Sequence, residues 1–100
     1  MVEFTKIIPL LTEPSTDRDF VFEVIAPSIP GYGFSSASAQ KGFNAAQCAR
    51  IFRRLMRERL GFETFYTQGG DWGSLITAHM AVVWPERYPY MNYLFLNRLI

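Results

Sequence analysis

The sequence predicts an α/β fold, a parallel sheet flanked by helices, and three observations carry that prediction. Apolar residues alternate along the chain between helix-like and strand-like clusters. Two short aromatic and β-branched runs, Phe20 to Ala26 and Phe62 to Gln68, are each too short for a typical helix and read as buried strands. The second run passes without a gap through a glycine-rich turn into a long apolar stretch, Leu75 to Val83, which gives strand, very tight turn and helix in succession. No internal repeat or low-complexity segment interrupts the 100 residues, and that length fits one domain.

Taken in order, Phe4 to Leu11 places Phe4, Ile7, Ile8 and Leu11 at the i, i+3, i+4, i+7 spacing of a helix face, in spite of Pro9. Thr12 to Asp19 is polar and turn-rich, a loop. The strand Phe20 to Ala26 is stopped by Pro27, and Pro27 to Ser38 then holds two prolines, two glycines and four serines, a composition that forbids regular structure. Asn44 begins a helix, with Gln47 three residues on in capping-box spacing. Its inner face is expected to be Cys48, Ile51, Phe52 and Leu55. Arg50, Arg53, Arg54 and Arg57 then face outward as a solvated surface rather than an anion site. Gly61 stands where a glycine ends a helix. After the second strand and the apolar helix, which stops at Trp84-Pro85, Tyr90 to Leu96 reads as a further strand.

Composition bounds the function. With 49% hydrophobic and 19% charged residues the chain is that of a folded domain, and a modest core needs neither disulfides nor metal. An all-parallel sheet needs helices on both faces, which is demanding at this length. The net charge of +1, from 10 basic and 9 acidic residues, gives no field to attract nucleic acid or anionic lipid. Cys48 is the only cysteine, so no internal disulfide and no Cys-based metal site can be built, and a free buried thiol is expected. The start of the chain lacks the pattern of a secretory signal, and no window approaches 18 uncharged apolar residues, so no membrane contact is expected from this segment.

The chemistry is concentrated around Asp71. The spacing small-x-Asp-x-small-small, with Gly69, Gly73 and Ser74 as the small residues, matches a nucleophile elbow, a strained strand-to-helix turn that presents one side chain above the sheet. Small neighbours are expected there on steric grounds, because larger side chains collide with the adjoining strand and helix, and Gly adopts backbone angles closed to other residues. The following helix aims its unpaired N–H groups at the turn and stabilises an anion on or beside Asp71. The plainer alternative is that Asp71 N-caps that helix. Three small residues at these spacings favour a carboxylate that attacks carbon and forms an ester.

These residues carry a resemblance. K-I-I-P-L-L, F-E-V-I-A-P-S-I-P-G-Y-G-F-S, K-G-F-N, A-R-I-F and F-Y-T-Q-G-G-D-W-G-S-L-I closely resemble epoxide hydrolases of the microsomal type, including the insect juvenile-hormone epoxide hydrolases, within the α/β-hydrolase superfamily. The resemblance runs from Phe4 to about Met80 and weakens beyond Trp84. It implies that residues 1–100 are a central fragment of an α/β-hydrolase core, with the elbow present and the cap domain absent. It implies Asp71 as nucleophile and the backbone N–H of Trp72 as an oxyanion-hole donor. In such enzymes two cap tyrosines bind the opening epoxide oxygen, and a histidine held by an acidic residue activates water to hydrolyse the ester.

The same resemblance implies an epoxide substrate, xenobiotic or juvenile-hormone-like, with water as co-substrate and a vicinal diol as product, no cofactor, and a place at the endoplasmic reticulum or microsomal membrane through an anchor outside this segment. It associates the chain with detoxification and aromatic hydrocarbon catabolism. The H-G-W-P loop that supplies the second oxyanion donor in the family does not occur here, and the catalytic His and cap tyrosines are expected beyond residue 100, so the isolated chain is expected to be inactive. His79 does not replace that base, lying eight residues into the helix after the elbow, roughly 12 Å along its axis. Tyr32 falls in the loop after the first strand, where the family has packing and pocket-rim residues. Two alternatives remain. A haloalkane dehalogenase shares the Asp elbow, though P-S-I-P-G-Y-G-F-S favours the epoxide hydrolase. A truncated, non-catalytic chain would bind partners through unfilled sheet edges.

Overall fold

The computed structural model describes residues 4–83, which fall in two compact units, Met1–Ser36 and Ala37–Ile100. In the first, helix α1 spans Ile7–Thr12. It begins three residues later than the apolar spacing predicts, and Pro9 is the reason. A proline ring collides with the carbonyl four residues back and lacks an N–H. With Ile7 first, Pro9 lies within the opening turn, where the N–H groups have no helical partner to lose. The Thr12 hydroxyl donates to Ile8 O at 3.0 Å, and Glu13 N–H donates to Pro9 O at 2.9 Å, closing the helix. The Arg18 guanidinium donates to Glu13 O at 3.1 Å and also to Leu10 O, tying the polar loop to the end of α1.

Residues 20–26 are not helical, as expected, but they join no ladder among the described residues, where the one bridge is the isolated antiparallel pair Ser15 and Arg18. The same holds for 62–68, so the expected parallel sheet is not assembled within 4–83. The physical reason is that β-branched and aromatic residues bias a backbone locally, whereas a strand exists only through hydrogen bonds to a neighbour. Phe20 and Phe22 still lie on one side of their segment, with ring centroids 5.4 Å apart and planes at 85°. The strand expected over residues 90–96 lies outside the described residues.

The loop after this segment is built from two consecutive tight turns. Tyr32 N–H donates to Ile29 O at 2.8 Å, with Pro30 second and Gly31 third at φ +89°, the pattern of a type II turn. Ser35 N–H donates to Tyr32 O at 3.0 Å around Gly33 at φ +53°, the pattern of a type II′ turn. The Ser35 hydroxyl donates to Ser28 O at 2.6 Å and Gly31 N–H donates to Ser36 O at 3.2 Å, so the loop is closed on itself.

In the second unit, helix α2 spans Ala45–Arg54 and continues into a π-helical turn over Leu55–Arg59. The capping box forms as expected. Asn44 Oδ1 accepts from Gln47 N–H at 3.1 Å, and Gln47 Oε1 accepts from Asn44 N–H at 3.2 Å. At the far end Leu60 N–H donates to Leu55 O at 3.0 Å and Phe62 N–H donates to Met56 O at 2.9 Å, with Gly61 between them at φ +77°. The helix therefore ends on the expected glycine, in the left-handed conformation that a side chain resists.

Helix α3, Trp72–Val83, packs against α2, and the core of this unit is Cys48, Ala49, Ile76 and Met80, all at most 3% exposed. The inner face of α2 thus includes Ala49, while Ile51, expected inside, is 46% exposed. At about 100° per residue, a stripe on positions 48, 49, 52 and 56 is centred about 110° from Ile51. Phe52 and Leu55 are half-buried; Arg50 and Arg54 are exposed, whereas Arg53 and Arg57 are half-buried. Burial pushes the Cys48 thiol above its ordinary pKa, so it rests as the free, neutral thiol that was expected. Among the described residues no helix is long and apolar enough to cross a membrane.

Candidate active site

The turn between residues 62–68 and α3 is the one place among the described residues where a non-glycine backbone enters the left-handed region, and that residue is Asp71, at φ +51°. Asp tolerates this region better than most side chains, but it remains disfavoured by about 1 kcal/mol or more. The surrounding turn holds it there. Gly73 N–H donates to Gly70 O at 2.9 Å, and Ser74 N–H donates to Asp71 O at 3.0 Å. The Ser74 hydroxyl donates to that same oxygen at 2.6 Å, and the Thr77 hydroxyl donates to Ser74 O at 3.0 Å.

Of the glycines in the turn, Gly69 serves space, and none serves torsion. None of Gly69, Gly70 and Gly73 has a positive φ. A Cβ on Gly69 would stand 2.3 Å from both the carbonyl carbon and oxygen of Gly73, a collision with backbone that no rotamer change relieves. The expected steric requirement is therefore met at Gly69. At Gly73 it is not, since a Cβ there meets nothing within 4 Å. The close approach is one-sided because the path into the turn passes over the backbone of the first helical turn.

The helix-cap alternative fails on two counts. An N-capping side chain accepts from the second or third helical N–H, and its own backbone is extended. In α3 those N–H groups belong to Gly73 and Ser74, and both are already bonded to backbone carbonyls. The Asp71 backbone is left-handed rather than extended. Among the described residues the Asp71 carboxylate accepts no hydrogen bond, and it is exposed. Trp72 follows as the first residue of α3, 57% exposed, and among the described residues its N–H donates to no carbonyl, as befits an opening helical N–H. An exposed carboxylate and an unused N–H on successive residues can respectively attack an electrophile and bind an oxyanion.

His79 is exposed on α3, two turns beyond Asp71, and is not brought into the turn. Tyr32 is exposed at the junction of the two tight turns of the first unit. Among the described residues no cluster of three or more His, Cys, Asp or Glu could hold a metal ion. Counting Ser74 as merely small misses its hydroxyl bond to Asp71 O. The available signal was a Ser, where Gly or Ala would satisfy size, three residues after a strained position, the spacing at which a Ser hydroxyl reaches back to a carbonyl.

Residues 1–88 match the family described as the alpha/beta hydrolase fold. The chain is 55% identical over 100 residues to juvenile hormone epoxide hydrolase 2 of Ctenocephalides felis, covering 98% of this chain and 21% of the relative. It is 63% identical over 87 residues to epoxide hydrolase 1 of Sus scrofa, covering 84% of this chain and 19% of the relative. The crystal structure of juvenile hormone epoxide hydrolase from the silkworm Bombyx mori matches with a TM-score of 0.82 at 50% identity, over 89% of this chain and 21% of that one. The chain spans about a fifth of the length of the curated relatives it matches.

Proposed function

The chain belongs to the α/β-hydrolase fold family, and on that premise we propose that it is a central part of the core of an epoxide hydrolase in which Asp71 is the nucleophile and the Trp72 N–H an oxyanion donor. Family membership gives the α/β class although residues 20–26 and 62–68 form no ladder among the described residues. The single observation that carries the assignment is the left-handed Asp71 on a turn whose cap-position N–H groups are both occupied. A carboxylate held in a disfavoured conformation, without a capping bond in return, is the mark of a functional site.

In the first step an Asp71 oxygen attacks one epoxide carbon. The carbon–oxygen bond opens, and the released alkoxide takes a proton from a donor such as the tyrosine pair that the resemblance implies. In the second, a base removes a proton from water, and the hydroxide adds to the ester carbonyl. The resulting oxyanion is met by the Trp72 N–H and collapses to free carboxylate and diol. Water is the only co-substrate and no cofactor is required. By the same resemblance the full-length protein resides at the endoplasmic reticulum membrane, anchored outside this segment.

A single turnover in heavy-oxygen water, with full-length enzyme in excess over an epoxide such as styrene oxide, tests the nucleophile. Attack by Asp71 delivers unlabelled carboxylate oxygen to the first diol and leaves solvent label in the Asp71 side chain. Labelled diol in that first turnover, with Asp71 unlabelled, would remove the assignment and leave direct attack by water.

A further inference from the structure

We propose that Ser74 is a positioning residue for the Trp72 N–H, acting through the peptide group that joins Asp71 to Trp72. The proposal rests on the reading of Asp71 as nucleophile and adds a residue to it. Two donors from Ser74 converge on one oxygen: its hydroxyl reaches Asp71 O at 2.6 Å and its N–H reaches the same atom at 3.0 Å. That oxygen belongs to the same planar, trans peptide unit as the Trp72 N–H. In such a unit the C=O and the N–H point in opposite directions, so a clamp on one aims the other.

The clamp has a physical task. Asp71 at φ +51° stands in a sparsely allowed region, and the two Ser74 donors hold the carbonyl of the peptide on its C-terminal side, which fixes how that peptide is turned. Rotation would swing the Trp72 N–H away from the carboxylate that precedes it. Hydrogen bonds accepted by the carbonyl also polarise the peptide and strengthen its N–H as a donor. Ser74 is itself steadied by the Thr77 hydroxyl on its carbonyl at 3.0 Å, so the clamp is anchored one turn into α3.

The consequence separates the two chemical steps. Opening of the epoxide by Asp71 places developing charge on the departing oxygen, remote from the Trp72 N–H. Hydrolysis of the ester places it on the former Asp71 carbonyl oxygen, the atom that the Trp72 N–H serves under the proposed function. Loss of the Ser74 hydroxyl therefore slows ester hydrolysis and spares ester formation.

The test uses full-length enzyme carrying this sequence, styrene oxide as substrate, rapid acid quench and mass spectrometry of the peptide that holds Asp71. Ser74→Ala is expected to slow hydrolysis of the ester about tenfold, the order of one oriented hydrogen bond, while ester formation changes by less than about twofold. Ser74→Thr, which keeps the hydroxyl, restores hydrolysis to within about threefold of the parent. Ser74→Val, of the same shape as Thr without the hydroxyl, reproduces the Ala variant and decides the matter if Ser74→Ala does not fold. Equal slowing of both steps, or Thr no better than Val, overturns the proposal. If the parent itself yields no ester, the Asp71 assignment is lost. If the parent yields ester and Ser74→Ala hydrolyses it at the parent rate, the Ser74 proposal alone is lost.

Discussion

The loop at 27–38 and the turn at 69–74 both pack glycines into a short, sharply bent segment, yet they use them in opposite ways. In the loop, Gly31 and Gly33 themselves occupy the left-handed region, at φ +89° and +53°, and the backbone bends without strain. In the turn no glycine does so. Gly69 supplies room, and the disfavoured conformation is left to Asp71. A chain that needed only to bend would put glycine at position 71. Retaining a carboxylate there costs stability, and the proposed role of Asp71 as nucleophile is what would separate a chemical bend from a structural one.

Four substitutions would break or sharpen that contrast. The largest effect is expected from Asp71→Ala in the full-length enzyme, which should lower kcat by more than about a hundredfold while leaving substrate binding largely intact, because loss of a covalent nucleophile removes the ester route. Residual kcat above that level would identify the bend as merely structural. Gly69→Ala comes next, forcing a methyl into the backbone of Gly73, and should destabilise the fold by about 3 kcal/mol in urea titration. A cost under about 1 kcal/mol would mean that the turn yields easily. Gly31→Ala should cost about 1–2 kcal/mol through its left-handed torsion, with turnover unchanged per folded molecule. The smallest effect is also the most diagnostic: Asp71→Gly should stabilise the fold by about 0.5 kcal/mol while abolishing turnover. Destabilisation by that change would show that the strained Asp71 conformation is not a stability cost.

What the sequence made legible was local chemistry. Asn44 and Gln47 find each other because a capping box is closed within four residues, and Gly61 ends its helix through its own torsion. The elbow was legible as a spacing around Asp71. What escaped depends on partners distant along the chain. Residues 20–26 and 62–68 have the composition of strands, but pairing needs a neighbour that composition does not name. Ala49 replaces Ile51 on the inner face because α3 chooses which side of α2 it covers. The elbow was misjudged in one respect, since the rule of small residues treats positions 69, 73 and 74 alike. The structure crowds the first, leaves the second open and uses the third for its hydroxyl.

The burial of Cys48 gives the second unit its own reporter. The thiol is 1% exposed in the seam between α2 and α3, and it is the one cysteine in 100 residues. An alkylating reagent can reach it only when the seam parts, so the rate at which this sulfur is modified, divided by the rate for a free thiol, measures how often the two helices separate. Compared across substitutions in the adjoining turn, that ratio would distinguish a variant that loosens the helix pair from one that alters chemistry alone.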